Sequence, residues 1–308
     1  MLLPDRINSI NQRAIGHELH GGASLTSHPR RTTCVSKPEP VARRNKRSYP
    51  MGKTLVRDET IPEAPSVDPA EIDKFRTMAA DWWSPTGKFA PLHKFNPARL
   101  TFIRDTAVAH FGLDAESRRP LEGLRLLDAG CGGGLVTEPM ARLGAHAVGV
   151  DAGDKNIKAA MVHADQVQVD VDYRVGAVEG LIASGEPKFD IVLALEVVEH
   201  VSDPAQFLGD CAGLLAPGGL MVMATLNRTP KAFALAVVGA EHVLRWLPVG
   251  THEWSKFVTP DEARIALTGA GLAVQAPVGV SFSPFTGKWT LGRDASVNYM
   301  IVATRPKN

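Results

Sequence analysis

The 308 residues hold 44% hydrophobic and 22% charged side chains, an ordinary globular mixture that excludes collagen-like, coiled-coil and wholly disordered chains. The net charge of +1 hides a division: residues 1–50 carry nine Lys/Arg against three Asp/Glu, and the remainder carries 25 against 30. Cys34, Cys131 and Cys211 form no CxxC pair, which argues against a disulfide framework or thiolate zinc site and suits a reducing compartment. No apolar run approaches the roughly 20 residues of a bilayer span, since the best, 232–240, is stopped by Glu241 and His242. A soluble protein, or one lying on a membrane surface, is expected. No basic stretch interleaved with aromatics points to nucleic acid.

Residues 1–67 are rich in Pro, Arg, Ser and Thr without a period of 2 or 3.6, so a disordered basic tail is predicted. Its bias resembles a mitochondrial transit peptide, while Met51 offers a second start. A single folded domain is expected over 68–308. It opens with a helical cap, 68–115. Asp68-Pro69-Ala70-Glu71 is a helix-start signature for a helix running to Trp83, and Asn96-Pro97 starts a second. Apolar runs at 124–129, 147–150, 171–175, 189–195, 220–224, 272–278 and 299–303 then give seven candidate strands. Helical stretches at 137–143, 155–163 and 204–215 separate the first five, which predicts a Rossmann-like α/β sheet, mostly parallel, with helices on both faces and an antiparallel last strand.

The first strand runs directly into Asp128-Ala129-Gly130-Cys131-Gly132-Gly133-Gly134. Glycines there permit unusual dihedrals and close backbone approach of a ligand. A dinucleotide fingerprint fails, because Leu135 stands where G-x-G-x-x-G/A needs a small residue. The loop resembles instead the D-x-G-x-G-x-G motif of class I S-adenosylmethionine (SAM) methyltransferases, with Asp128, Gly130, Gly132 and Gly134 in register. Asp151 ends the second strand, 21 residues after Gly130, where a carboxylate can accept from both ribose hydroxyls. Leu195, at the end of the fourth strand, would then line the adenosine pocket in methyltransferases of this kind, or else be simply core. Beyond it, Glu196, Glu199 and His200 sit at i, i+3 and i+4, and in a helical segment they would converge as a hard-metal site or a general base.

Several motifs occur in order: FRTMAADWW at 75–83, PLH at 91–93, NPARL at 96–100, DAGCGGG, EVVEH at 196–200, PGG at 217–219, TLNR at 225–228, VVGAE at 237–241, GTH at 250–252 and VNYM at 297–300. Together the chain resembles the ubiquinone-biosynthesis O-methyltransferase family over roughly 70–305. The resemblance implies two O-methylations of polyprenylated ring intermediates, on a 2-polyprenyl-6-hydroxyphenol and on 3-demethylubiquinol, with SAM as methyl donor. It implies Arg99, Gly130, Asp151 and Leu195 at SAM, and Glu196, Glu199 and His200 around a magnesium ion. His200 with Glu199, or a cation they hold, would lower the pKa of the acceptor hydroxyl.

Between the fifth strand and Phe257 an insert, 228–258, carries Phe233, Ala236, Val237, Ala240, Val243, Leu244 and Leu247 at helical spacing, with Lys231, Arg245, Trp246 and Lys256 nearby. Its stretch 231–256 reads either as a lid on the core or as an interfacial helix touching lipid. The expected partners are a polyprenylated phenol or quinol, membrane lipid and other enzymes of ubiquinone synthesis. The expected place is the cytoplasmic surface of the inner membrane, or the mitochondrial matrix side if residues 1–50 are a transit peptide. Two competing readings stand beside this one: SAM transfer to another phenol, a lipid or a protein nitrogen, and a non-catalytic scaffold that keeps the fold.

Overall fold

A computed structural model describes residues 68, 71–72, 81–235, 253–283 and 286–307. The tail 1–67 and the middle of the insert, 236–252, lie outside the described residues. So does 73–80, most of the first predicted helix, of which Glu71 and Ile72 are helical.

Nine strands among the described residues form one sheet, two more than the seven predicted. In chain order they are β1 (Arg125–Ala129), β2 (His146–Asp151), β3 (Asp172–Val175), β4 (Phe189–Leu195), β5 (Leu215–Leu226), β6 (Ala273–Val274), β7 (Val278–Ser283), β8 (Lys288–Gly292) and β9 (Asn298–Thr304). The order across the sheet is β3-β2-β1-β4-β5-β9-β7-β8, with β6 paired to β9. The first five strands are parallel, and β9 runs antiparallel between β5 and β7. The added strands come from 278–292, which folds as an antiparallel hairpin.

Among the described residues, the helices of six residues or more are α1 (Ala90–Phe111), α2 (Thr137–Arg142), α3 (Asp154–Gln166), α4 (Val178–Ala183), α5 (Pro204–Gly213) and α6 (Pro260–Gly269). Helix α1 begins six residues before the predicted Asn96-Pro97 start: Pro91 takes the first turn, where a missing N–H costs nothing, and Pro97 is carried inside. It ends at Gly112, whose φ of 64° is left-handed.

Successive strand residues face opposite ways, so the sheet splits the core in two. Leu126, Ile191, Leu193, Leu220 and Val222 pack under α1, α2 and α3 through Ile103, Met140 and Ile157. Leu127, Val192, Met221 and Met223 pack against α4, α5 and α6 through Leu181, Phe207, Leu208 and Leu267. Strand β1 pairs with β2 on one side and β4 on the other, so the loops leaving β1 and β4 diverge to opposite faces. A ligand crevice belongs at that switch point, above the carboxyl ends of the strands.

Candidate functional site

A cavity of about 140 Å³ opens at that switch point. It is lined by Gly130 and Gly132 after β1, Asp151 and Gly153 after β2, Gly176 to Val178 after β3, and Glu196, Val197 and His200 after β4. Asp68, Glu71, Ile72 and Trp82 close it from the N-terminal side.

The loop after β1 is held from within. Gly130 and Cys131 both donate N–H groups to Val150 O, at 2.8 and 3.0 Å. Gly132, at φ 54°, donates its N–H to Asp151 Oδ2 at 2.9 Å. Asp151 Oδ1 accepts from Gly153 N at 2.8 Å and from Asn156 Nδ2 at 3.0 Å. A carboxylate offers about four acceptor positions, so three bonds leave Oδ2 capacity for one more donor. Burial raises the Asp151 pKa, and its bonds to Asn156, Gly153 and Gly132 oppose that shift.

Two tryptophans clamp this loop from outside. Trp82 lies over Gly132 and Gly133, stacks on Phe89 at 3.8 Å, and donates Nε1–H to Asn156 Oδ1 at 3.0 Å. Trp83 donates Nε1–H to Gly133 O at 2.9 Å and stacks at 3.4 Å on His163, whose Nδ1 meets the buried Glu138 at 2.9 Å. Gly132 and Gly133 thus accommodate the protein's own Trp82 indole. Trp82, Asn156 and Glu71 are site residues that the sequence reasoning gave no role. The only signal for the tryptophans was their place in the FRTMAADWW motif at 75–83.

The segment after β4 departs from expectation. Glu196 has φ 52°, rare for a side chain with Cβ, and only Val198–His200 form a 3₁₀ turn. That break cancels the helical spacing on which a metal site depended. Glu199 turns into the core, where Thr225 Oγ1 donates to its Oε2 at 2.7 Å. His200 Nδ1 turns to Glu71 Oε2 at 3.0 Å. Among the described residues no group of three or more His, Cys, Asp or Glu is arranged to hold a metal ion. Glu196, Glu199 and His200 therefore do not fit the magnesium site that the resemblance implied.

Glu196 has an opposite number in Arg99 of α1. Arg99 is buried and Glu196 half-buried, and both keep a buried, unpartnered atom, Glu196 Oε1 and Arg99 Nε. Burial and the Glu199 charge push the Glu196 carboxyl well above the usual range, with Arg99 opposing. Burial lowers the Arg99 pKa while Glu196 and Asp128 raise it. Arg99 is steadied by Asn96 Oδ1, which accepts from Nη2 at 3.0 Å, and lies over the Phe95 ring. Asp128 accepts from Thr137 Oγ1 at 2.6 Å beneath the loop, and Leu195 packs in the core; neither these two nor Arg99 lines the cavity.

The chain matches a methyltransferase-domain family over residues 127–223. It is 60% identical over 242 residues to the ubiquinone biosynthesis O-methyltransferase of Maricaulis maris (strain MCS10), covering 79% of this chain and 94% of that one. It is 58% identical over 243 residues to the protein of the same name from Parvibaculum lavamentivorans, covering 79% and 96%. Among solved structures it is similar to magnesium protoporphyrin IX methyltransferase from Synechocystis PCC 6803 with bound SAH. The TM-score is 0.54, with 19% identity over 76% of this chain and 97% of that one, a likeness of fold alone.

Proposed function

We propose, from the premise that the chain belongs to the ubiquinone biosynthesis O-methyltransferase family, that it methylates both ring hydroxyls of that synthesis, on a 2-polyprenyl-6-hydroxyphenol and on 3-demethylubiquinol. The observation that carries this reading is one cavity lined by Gly130, Gly132, Asp151 and His200.

The residues fit SAM. Asp151 has acceptor capacity for a ribose hydroxyl, and Gly130 and Gly132 line the cavity beside it. At the amino-acid end, Glu196 lines the cavity with an unpartnered Oε1, and the ammonium of a bound SAM would favour its ionised form, with the Arg99 charge standing behind it. Bound SAM supplies an electrophilic methyl carbon, its sulfonium becoming a neutral thioether as the carbon–sulfur bond breaks and the carbon–oxygen bond forms.

The chain's task is the proton. A phenolic hydroxyl is a weak nucleophile until it loses that proton, and His200 is the lining residue suited to take it. With Nδ1 engaged by Glu71, the accepting atom is Nε2. No step is assigned to a metal. Lipid contact at the insert is supported by exposed Phe233, Leu235 and Trp254 at its two described stems, where Phe233 and Trp254 meet edge-on at 6.2 Å. Among the described residues no helix is long and apolar enough to cross a membrane.

The test is methyl transfer from labelled SAM to a short-chain demethylubiquinol. His200→Ala lowers kcat by roughly 100-fold or more, the usual share of general base catalysis, while calorimetric SAM affinity stays within about twofold. Unchanged turnover removes His200 from the chemistry.

A further inference from the structure

The cavity wall includes two carboxylates from far away in sequence, Asp68 and Glu71. Glu71 lies 129 residues from His200, yet its Oε2 is 3.0 Å from His200 Nδ1, with both side chains about 15% exposed. Its other oxygen, Oε1, lies 3.5 Å from Lys256 Nζ, which also reaches Asp68 Oδ2 at 3.2 Å and Glu253 Oε2 at 3.4 Å. Lys256 belongs to the 3₁₀ turn Trp254–Lys256 on the C-terminal side of the insert. The two oxygens of one carboxylate thus join three separate parts of the chain: the N-terminal cap, the turn after β4 and the stem of the insert.

We propose that Glu71, held by Lys256, is the positioning residue for His200, fixing its ring orientation and the tautomer in which Nδ1 carries the proton. An ionised carboxylate only accepts, so the hydrogen between Glu71 and His200 sits on Nδ1, and in the neutral ring Nε2 is then the basic nitrogen. When Nε2 takes the acceptor's proton, the positive charge that forms lies against the Glu71 carboxylate. The logic is that of a base oriented by a third group, here delivered by the cap. The proposal rests on the reading of His200 as the base.

The experiment uses the full chain and the demethylubiquinol assay. Glu71→Gln lowers kcat by roughly tenfold or more, the scale of lost orienting partners, while the SAM dissociation constant stays within about twofold. Added to His200→Ala, the same substitution has no further effect, because Glu71 acts through that ring. Nitrogen-15 spectra of histidine-labelled wild-type protein, assigned by the signals lost in His200→Ala, show the Nδ1–H tautomer at pH values where the ring is neutral. That measurement decides the matter even if Glu71→Gln fails to fold.

The outcomes separate. If His200→Ala leaves turnover unchanged, the reading of the base fails and Glu71 falls with it. If His200→Ala slows turnover but Glu71→Gln does not, or slows it equally in the His200→Ala background, only the Glu71 proposal is overturned. An Nε2–H tautomer in the wild type overturns it as well.

Discussion

The loop after β1 and the turn after β4 face each other across one cavity and are built in opposite ways. In the loop, the ligand-side groups are fixed by near neighbours: Gly132 and Gly153 hold Asp151 through N–H groups within 19 residues, and Gly130 and Cys131 lie on Val150. In the turn, each of the three polar residues looks to a different distant element, Glu196 toward Arg99, Glu199 toward Thr225 and His200 toward Glu71. A site half seats its ligand with backbone groups that cannot rearrange cheaply, and half presents side chains whose direction depends on tertiary partners. The first half suits a cofactor common to many methyltransferases. The second suits chemistry that depends on the acceptor.

The sharpest way to break this contrast is to crowd the loop. A Cβ at Gly133 would overlap Trp82 near the root of its side chain, where a rotamer change gives little relief. Gly133→Ala therefore costs about 2–3 kcal/mol of stability, the upper range for overpacking, and weakens SAM binding with it. Urea melts and calorimetry read both effects. Trp82→Ala in the same chain removes the overlap with the indole ring and leaves only that with Cβ, so the double variant is more stable than the sum of the two singles predicts. Strict additivity would show that the indole does not hold the loop.

A smaller effect tests the turn. Thr225 is fully buried and is a donor to Glu199, itself 4% exposed. Thr225→Val leaves that carboxylate short of a donor in the core and costs roughly 1–3 kcal/mol in a urea melt. If Glu199 is structural, as its burial argues, kcat of the folded variant stays within about twofold. A collapse of kcat with stability intact would return Glu199 to the catalytic set.

The two halves also differ in how far the sequence reveals them. The strands, the glycine loop and Asp151 were legible because each rests on local spacing: an apolar run, a turn that needs glycine, an acid at a strand end. The convergence of Glu196, Glu199 and His200 was misread because it assumed continuous helix, and no residue type announces a left-handed Glu196. Glu71 was read as a helix-start residue; its contact with His200 exists only once the cap folds over the sheet. The hairpin β7–β8 was missed because β6 is only two residues long and the break before β7 split one apparent apolar strand. The start of α1 was misplaced because Asn96-Pro97 was read as the first turn, a place that Pro91 takes while Pro97 is carried inside the helix.

The smallest predicted effect concerns the charge under the loop. Asp128 is buried, and burial lifts its pKa to about 6 from an ordinary 3.8, with Thr137 and Arg99 opposing and Asp151 adding to the rise. A carboxyl held above its ordinary value binds its proton more tightly in the folded chain. Its contribution to stability is therefore full below the ordinary value and is lost as pH rises from about 4 to about 6. Asp128→Asn keeps an oxygen that can accept from Thr137 but cannot ionise. Relative to this variant, the wild type loses stability across that window, because the folded chain must bury the ionised side chain. Urea midpoints of both proteins at pH 4, 5, 6 and 7 read the difference, which opens between pH 4 and 6 and flattens above. Parallel curves would mean that the loop's buried anion is stabilised as fully as its backbone is, and that the strain at this site lies wholly in the turn after β4.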